Sequence, residues 1–410
     1  DAVLATHYCA GDMANVVLFK PTDLRLHDHA PLTAAHNAAA AAQDGFVLHL
    51  LVFDPSLGFG PAATASREAG LERIGQLRAR FVMQSAEALH KALAGRGYEL
   101  LVYMGSTEDA LQAVSSQCGI SAVFCHGPEF CAEEQGVERK VISRWPTRLS
   151  SGWTLMHTDD LPSNMQHGYA MPSRYKPFLA AVSRGKGPAC RRPPLPEPRW
   201  TARDAPASVR QAILAIATSQ TAYWGLPQCT KALCPTVNPA LVDEGSLLDT
   251  QPGGEAEGLA AMRRYIWEEE RLCCYVGSSD SMTPGVNNAL NATTRLSAYL
   301  AHGCLSARRL YEEVRQYEQR KVQNRSTYWV YHELIMRDFL AFSCLGWGVR
   351  LFSRDGPLDS SGHRWRDPAS DETRQLFEKW TRGLTGYPFI DAGMRQLYET
   401  GWMPHLLRQG

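Results

Sequence analysis

Residues 385–397 read TGYPFIDAGMRQL, and this stretch carries the clearest structural signal in the chain. Its Gly-Tyr-Pro triplet predicts the end of one element and the start of a helix, because proline fixes φ and is tolerated in a first helical turn. Asp391 and Arg395 lie four residues apart, acid first, which is the favourable order for an ion pair on one helix face. We therefore predict a helix over 390–400 in which Asp391 pairs with Arg395.

The first third of the chain alternates short apolar runs with helical stretches. Apolar runs predict buried strands at 16–19, 46–53, 100–103 and 122–125. Alanine-rich or charged segments at 31–43 and 67–93 predict helices between strands. This alternation predicts an α/β domain with a doubly wound parallel sheet over 13–150. Ligands of such a sheet bind beyond the carboxyl ends of its strands, where loops 20–29 and 126–134 are expected.

The rest of the chain changes character twice. Periodicity weakens between 151 and 258, and the proline-rich residues 191–198 (RRPPLPEP) cannot form a helix or a central strand. We interpret 151–258 as a long interdomain linker. From 259 onward the pattern is helical, which predicts an all-α domain over 259–410, with helices at 259–274, 294–300, 307–317, 328–342, 371–380 and 390–400.

Composition and charge narrow the class of protein. A chain of 410 residues with 44% hydrophobic residues predicts a globular protein of two or three domains. It has no apolar run long enough for a membrane span, so we expect no membrane partner. The net charge is zero, but residues 295–410 carry 17 Lys+Arg and 13 Asp+Glu, an excess of 17 − 13 = +4. This excess permits phosphate contacts, although surface solvation is the simpler interpretation.

The cysteines indicate free thiols. The chain has 11 cysteines, without a Cys-x-x-Cys pair or metal-ligand spacing, so no metal site is predicted. An odd number scattered through a long chain suits a reducing intracellular compartment. We interpret the adjacent Cys273 and Cys274 as packed thiols rather than as a redox switch.

Residues 291–300 (NATTRLSAYL) open one of the predicted helices with several hydroxyl and amide side chains. They could act as helix caps by accepting backbone N–H bonds. They could also form an anion site, because free amides, hydroxyls and Arg295 meet where the helix dipole favours a phosphate. Residue types alone leave both alternatives open.

Ordered motifs along nearly the whole chain resemble the photolyase/cryptochrome family. Those shared with the family at large are 23–28 (DLRLHD), 294–306 (TRLSAYLAHGCLS), 326–339 (STYWVYHELIMRDF) and 385–397. Those typical of its cryptochrome-DASH subgroup are 126–134 (HGPEFCAEE), 159–162 (DDLP), 175–178 (YKPF) and the opening STYW at 326. The resemblance implies a photolyase-type antenna domain followed by a helical FAD-binding domain.

The resemblance also implies cofactor-binding residues. The diphosphate and ribityl chain of FAD would be held by Tyr275, Thr293, Thr294, Arg295, Leu296 and Ser297. Arg408 matches an arginine that the family retains near the flavin. Glu129 matches the acidic residue that, in this subgroup, holds the pterin of a 5,10-methenyltetrahydrofolate antenna. For Glu129 a solvated loop carboxylate is the alternative, since exposed glutamate is the norm.

Glu333, Met336 and Arg337 share one face of a predicted helix. In the family, the carboxylate at Glu333 hydrogen-bonds a flipped pyrimidine dimer and the arginine serves the same cavity. The alternative is a helix-surface ion pair between Glu333 and Arg337, worth about 0.3–0.5 kcal/mol. Met336 departs from photolyases, which place a tryptophan there. Stacking of a base on an aromatic ring is worth roughly 1–3 kcal/mol, so lesion affinity should suffer.

The end of the sequence departs from the family pattern as well. His405 occupies a position that is Asn, or His in (6-4) photolyases; we expect either a proton donor to a dimer or a partly buried histidine. In the family a further helical stretch follows, with Asp-Trp-Arg and Asn-Trp segments that complete the flavin site and the tryptophan relay. We therefore expect a C-terminally truncated FAD domain in which Trp365 and Trp380 are packed aromatic residues.

These patterns predict a cryptochrome-DASH-like flavoprotein that repairs cyclobutane pyrimidine dimers in single-stranded DNA with blue light. Two alternatives stay open: a photoreceptor or a DNA- or RNA-binding regulator without repair activity, and a truncated paralogue that binds no flavin. Relatives of this subgroup are often organellar, so a chloroplast or mitochondrion is the expected compartment. A monomer is the expected state.

Overall fold

The structure is a computed structural model. It describes residues 13–42, 45–61, 63, 73–166, 171–184, 187–188, 192–216, 218, 222–233, 251–275, 293–353, 355–357 and 364–408. All the candidate site residues named above lie within these ranges, whereas Asn291 and Ala292 lie outside them.

The N-terminal half is built on a mainly parallel sheet with the strand order β5-β4-β1-β2-β3-β9. Its strands are β1 Met13–Phe19, β2 Phe46–Phe53, β3 Leu100–Met104, β4 Gly119–His126, β5 Thr147–Ser150, β8 Arg203–Asp204 and β9 Tyr223–Trp224. Strand β1 is central, with Val16 opposite Leu48 of β2 and opposite Val123 of β4. The four predicted strands are confirmed. Strand β5 was missed because its sequence, TRLS, is a half-exposed edge without an apolar run.

Both faces of the sheet are covered, as a doubly wound fold requires. Val17 and Phe19 of β1 belong to one buried cluster, whereas Val16 and Leu18 belong to another. This alternation follows from the two-residue period of a strand. The helices of this half are α1 Ala30–Ala41, α2 Gln76–Ala94, α3 Thr107–Gln117 and α4 Ala132–Arg144. The predicted helix at 67–93 thus begins at Gln76 in the described part of the chain.

The region interpreted as a linker contributes to both halves. Residues 192–199 are extended without secondary structure, as the prolines predict. Around them lie α5 Tyr175–Val182, a two-stranded ribbon (β6 Ser183–Arg184 and β7 Gly187–Pro188), α6 Ala207–Leu214 and α7 Leu226–Leu233. Strand β8 pairs with β2, and β9 pairs antiparallel with β3. The region therefore extends the sheet as well as connecting the two halves.

From residue 255 the described chain is helical, as predicted. The elements are α8 Glu255–Arg263, a π-helical turn Arg264–Glu268, a 3-10 turn Arg271–Cys274, α9 Ser297–Ala301, α10 Ala307–Arg320, α11 Arg325–Trp347, a 3-10 turn Gly348–Phe352, α12 Asp371–Thr381, α13 Pro388–Thr400 and α14 His405–Arg408. The longest, α11, starts with a capping box between Asn324 and Thr327. None of the helices within the described residues is both long and apolar enough to cross a bilayer.

The predicted Asp391–Arg395 ion pair is wrong. Asp391 instead accepts hydrogen bonds from the Thr385 amide (2.8 Å), the Thr385 hydroxyl (2.6 Å) and the Gly386 amide (3.1 Å). Arg395 donates to the Gly383 carbonyl at 2.9 Å. Both side chains therefore fasten the TGYP turn to the helix that follows it, because backbone groups of the turn lie nearer than the opposite charge.

The loop after β1 joins the two halves through a buried ion pair. Arg308 donates to both carboxylate oxygens of Asp28, at 2.9 and 2.7 Å, and neither side chain is more than 5% exposed. Arg25, also buried, donates to the Gly303 carbonyl at 3.0 Å. A Cβ on Gly303 would lie 2.1 Å from the Thr22 carbonyl oxygen, and its φ is +64°. The close approach of the two halves therefore requires glycine at 303.

We predict that Asp28→Asn lowers the free energy of unfolding by about 3–5 kcal/mol, because it leaves the Arg308 guanidinium buried without a counter-charge. The backbone should tolerate the change, since residue 28 has φ 49° and asparagine adopts the left-handed region readily. Denaturant unfolding provides the measurement.

Glu378→Gln is the matched control, because Glu378 pairs with Arg382 on an exposed helix face. Its expected cost is below about 0.5 kcal/mol. Equal stability of the two variants would contradict the role given to Asp28.

Candidate functional site

Helix α9 begins at Ser297 without a side-chain cap in the described part of the chain. The N-cap position is Leu296, which is apolar and only 1% exposed. The Thr294 hydroxyl lies 3.4 Å from the Leu296 amide, at the long limit of a hydrogen bond. Within the described residues the capping interpretation is therefore borne out only by this long bond to Thr294.

The turn before α9 has the geometry of an anion site. Arg295 has φ +52° and Leu296 is right-handed (φ −91°, ψ −1°). Successive residues with left-handed and right-handed backbone conformations point their amide N–H groups into one concavity. Such an arrangement, called a nest, binds anions. The Thr293 hydroxyl oxygen is buried and has no hydrogen-bond partner among the described residues. A buried hydroxyl without a partner is costly, so this turn suits a ligand with acceptor oxygens.

A cleft of about 340 Å³ lies beside the first residues of α9. It is lined by Ser297 and Arg408, two of the residues that the resemblance assigns to the flavin, and by Gln251 and Trp402. The Arg295 guanidinium lies 4.5 Å from the centroid of the Trp402 ring, and Gln251 donates to the Arg295 carbonyl at 2.6 Å. The fold thus brings the segment at 293–297 together with the end of the chain.

Glu333 and Tyr275 form a second part of the site. The Tyr275 hydroxyl donates to Glu333 Oε1 at 2.7 Å, and Tyr275 is 6% exposed. Burial raises the pKa of Glu333, while the hydrogen bond from Tyr275 and the charge of His405 lower it, and the net effect is a raised pKa. Sequence reasoning placed Tyr275 at the diphosphate and missed its bond to Glu333, because the two residues are 58 positions apart.

The alternative interpretation, a surface ion pair between Glu333 and Arg337, is wrong for the described residues. The Arg337 guanidinium lies 3.4 Å from the centroid of the Trp153 ring and donates to the Trp153 carbonyl at 2.8 Å and the Leu300 carbonyl at 3.2 Å. Arg337 therefore holds α11 against α9 and against the N-terminal half. Met336 is partly buried and packs against the main hydrophobic cluster.

His405 is exposed at the start of α14, so the expectation of a partly buried histidine is wrong. It lies close enough to Glu333 for its charge to lower the carboxyl pKa. Trp365 and Trp380 are 47% and 46% exposed, so neither is the packed aromatic residue that we expected.

Glu129 lies at the carboxyl edge of the sheet, as predicted. Lys20 donates to Glu129 through a very short contact and to the His126 carbonyl at 2.8 Å. The Glu129 side chain is only 13% exposed, so the solvated-carboxylate alternative is wrong. Burial opposes the charge on Lys20, but Glu129 more than compensates and raises the pKa of the ammonium group. Burial raises the pKa of Glu134, and the negative charge of the nearby Glu129 raises it further, to about 7.

A cavity of about 180 Å³ opens beside these residues. Its lining includes Glu129, Glu134, Phe130 and Trp153. It lies at the ends of β1 and β4, where the strand order reverses, which is where doubly wound sheets bind ligands.

One buried cluster was missed by sequence reasoning. Asp23, His29 and His126 place ligand-type atoms within 4.8 Å of one another. Two of their ring nitrogens, however, are already hydrogen-bonded to protein groups. The Leu32 amide donates to His29 Nδ1 at 3.1 Å, so His29 carries its proton on Nε2, 3.5 Å from the Asp23 carboxylate. His126 Nδ1 donates to the same carboxylate at 3.0 Å. The cluster is thus best described as a hydrogen-bonded anchor for the loop after β1.

Comparison with known proteins agrees with this architecture. The family profile described as "DNA photolyase" matches residues 15–199, and the profile "FAD binding domain of DNA photolyase" matches residues 329–410. The crystal structure of the Synechocystis sp. PCC6803 cryptochrome aligns with a TM-score of 0.78 at 30% identity, covering 98% of this chain and 74% of that one. A class III photolyase from Agrobacterium tumefaciens, at 22% identity and a TM-score of 0.69, shares the fold.

The chain therefore belongs to the photolyase/cryptochrome family of FAD-binding flavoproteins. Its curated relatives include cryptochromes DASH. It is 35% identical to that of Gloeobacter violaceus over 96% of this chain and 70% of the relative. It is 33% identical to the chloroplastic/mitochondrial protein of Ostreococcus tauri, with 96% and 70% covered. The family membership that the sequence motifs indicate is confirmed.

We predict that Tyr275→Phe raises the pKa of Glu333 further, because it removes a hydrogen bond that stabilises the carboxylate. Because the pKa of Glu333 is higher in the folded than in the unfolded protein, this group adds to the free energy of unfolding at low pH. The contribution is lost as the pH rises through the folded-state pKa. In the Tyr275→Phe variant it should therefore persist to a higher pH. Infrared titration of the protonated carboxyl band, assigned with Glu333→Gln, gives the pKa.

Tyr299→Phe is the matched control, because the hydroxyl of this buried tyrosine donates to the Pro252 carbonyl instead. If both variants left the Glu333 band unmoved, the Tyr275 bond would have no influence on this carboxyl group.

Proposed function

We propose that this flavoprotein uses blue light to repair cyclobutane pyrimidine dimers in single-stranded DNA. The observation that carries the proposal is the carboxyl group of Glu333, which lies at an exposed position of α11, accepts a hydrogen bond from Tyr275 and is placed on the helix that Arg337 ties to α9. A carboxyl group with a raised pKa can donate as well as accept a hydrogen bond, which suits the carbonyl and N–H edge of a pyrimidine.

FAD would be held by the turn at 293–297. The Thr293 hydroxyl, the nest at Arg295 and Leu296 and the start of α9 would receive the diphosphate, together with Thr294, Ser297 and Arg408. Bound FAD would supply light absorption and the transferred electron. The protein's own part is to orient the cofactor, to hold the dimer against it and to exclude water.

The substrate follows from the cost of exposing a dimer. A base must leave the stack to enter a protein cavity, and this costs least in a single strand or at damaged DNA. The +4 excess of residues 295–410 supports contacts with the phosphate backbone. Single-stranded or damaged DNA is therefore the proposed partner, and a monomer the proposed binding unit.

The cavity beside Glu129 is the proposed antenna site. Glu129 offers an acceptor to a pterin edge, and Phe130 and Trp153 line the cavity with aromatic side chains. A volume of about 180 Å³ is below the roughly 300–1,000 Å³ of sites for drug-sized ligands. We infer that the cavity takes only the pterin of 5,10-methenyltetrahydrofolate. The free thiols support a reducing compartment, with a chloroplast or mitochondrion the leading candidates.

A photoreceptor or nucleic-acid-binding regulator without repair activity is the second candidate. Met336 favours it, because a thioether offers no plane against which a lesion can stack. His405 also favours it, because an exposed histidine lies near Glu333 at a position that is Asn in the family, or His in (6-4) photolyases.

The decisive assay illuminates the FAD-loaded, reduced protein with a dimer-containing oligonucleotide and follows the recovery of thymine. Repair should be roughly 10–160-fold slower in Glu333→Gln, which removes a charge-assisted bond worth about 1.5–3 kcal/mol. Glu378→Gln, distant and exposed, should repair at the normal rate. The photoreceptor would be favoured if the reduced, unmodified protein restored no thymine while light reduced the flavin in a separate sample of the oxidised protein.

We predict that Met336→Trp tightens binding of dimer-containing DNA roughly 5–100-fold, because stacking on an aromatic ring contributes about 1–3 kcal/mol. Fluorescence anisotropy with damaged and undamaged oligonucleotides measures the gain. Leu340→Trp is the control, since Leu340 lies one turn further along α11 and is 48% exposed. Equal affinities for the two variants would exclude a lesion contact at 336.

A further inference from the structure

Cys273 and Cys274 are adjacent thiols at the protein surface. Their sulfur atoms lie 3.4 Å apart, Cys274 is exposed and Cys273 is half-buried. By contrast, Cys118, Cys125, Cys229 and Cys304 are buried. The prediction of packed thiols is confirmed for Cys273, which packs against the main hydrophobic cluster, and is wrong for the exposed Cys274. An oxidant in solvent can reach the pair at Cys274.

The pair is connected at two points to the helix that carries Glu333. Asn324, the N-cap of α11, donates to the Cys273 carbonyl at 2.9 Å. Tyr275, the residue after the pair, donates to Glu333. A change in the backbone at 273–274 would therefore reach both the start and the middle of α11.

We propose that Cys273 and Cys274 are a reversible oxidation site that closes to a vicinal disulfide. Two S–H bonds break and one S–S bond forms. The two electrons and two protons pass to a disulfide oxidant such as oxidised glutathione, which leaves as two glutathione thiols. Adjacent Cα atoms are about 3.8 Å apart across a trans peptide, whereas disulfides usually join Cα atoms about 4.4–6.8 Å apart. Such a strained disulfide is easily reduced, which makes the site reversible.

Closure would disturb the site. The sulfur atoms must approach from 3.4 Å to about 2.05 Å, and the peptide between the two residues must turn to allow it. The Cys273 carbonyl belongs to that peptide, so its bond with Asn324 would be lost and Tyr275 would shift from Glu333. The formation of the disulfide is independent of the proposed repair function, whereas its effect on repair depends on that function.

Peptide mass spectrometry of the full chain tests the disulfide. Trypsin cleaves after Arg271 and Arg295, and the peptide 272–295 contains Cys273 and Cys274 as its only cysteines. After oxidised glutathione, alkylation and digestion, the peptide should be lighter by two hydrogens and carry no alkyl group. Dithiothreitol should restore two alkylatable thiols. A peptide with two alkyl groups, or with one bound glutathione, would overturn the proposal.

Variants separate the disulfide from its consequence. Cys273→Ser and Cys274→Ser should each abolish the lighter peptide, whereas Cys344→Ser, which removes a half-buried cysteine elsewhere, should leave it unchanged. Oxidation should slow dimer repair in the unmodified protein and not in the double serine variant. If the lighter peptide forms in a chain that repairs no dimers, the modification site stands and the repair function fails. If the lighter peptide never forms in a chain that repairs dimers, the repair function stands and the proposed disulfide fails.

Discussion

The buried contact between Asp28 and Arg308 sets the geometry on which both candidate sites depend. It fastens the loop after the central strand of the sheet to the helical half, and the Arg25–Gly303 bond reinforces it. On one side of this junction lies the cavity with Glu129, and on the other lies the turn before α9. The efficiency of energy transfer from a light-harvesting pigment to a flavin falls steeply with their separation. A junction that holds the halves close together would therefore favour the proposed antenna role.

Helix α11 is the second common support. Its N-cap Asn324 contacts the Cys273 carbonyl, and its side chains reach Tyr275, Leu300 and the N-terminal half. Asp338, fully buried, accepts the Leu155 and Met156 amides at 3.1 and 2.8 Å. One rigid helix thus positions Glu333 against elements far apart in sequence. Precision of this kind is what a site needs when it must hold a lesion and a cofactor in a fixed relation.

The sequence predicted what depends on local pattern. Apolar runs predicted the central strands, and the period of α11 and α10 predicted the helical half, because burial of one face leaves a repeat in the residues. The hydroxyl-rich turn at 293–297 was also recognisable. Long-range polar contacts were not, since nothing in the sequence pairs Tyr275 with Glu333 or Asp23 with His126. Asp391 was assigned the wrong partner because an ion pair on a helix is a local rule, and the turn at 385–386 offered nearer donors.

We propose that the helical half binds FAD through the turn at 293–297. A crystal structure of the FAD-loaded chain would show where the cofactor lies. We expect diphosphate oxygens bonded to the Thr293 hydroxyl and to the amides of the nest, with Arg408 beside them. Well-defined density for FAD elsewhere, with the Thr293 hydroxyl still lacking a ligand contact, would contradict it.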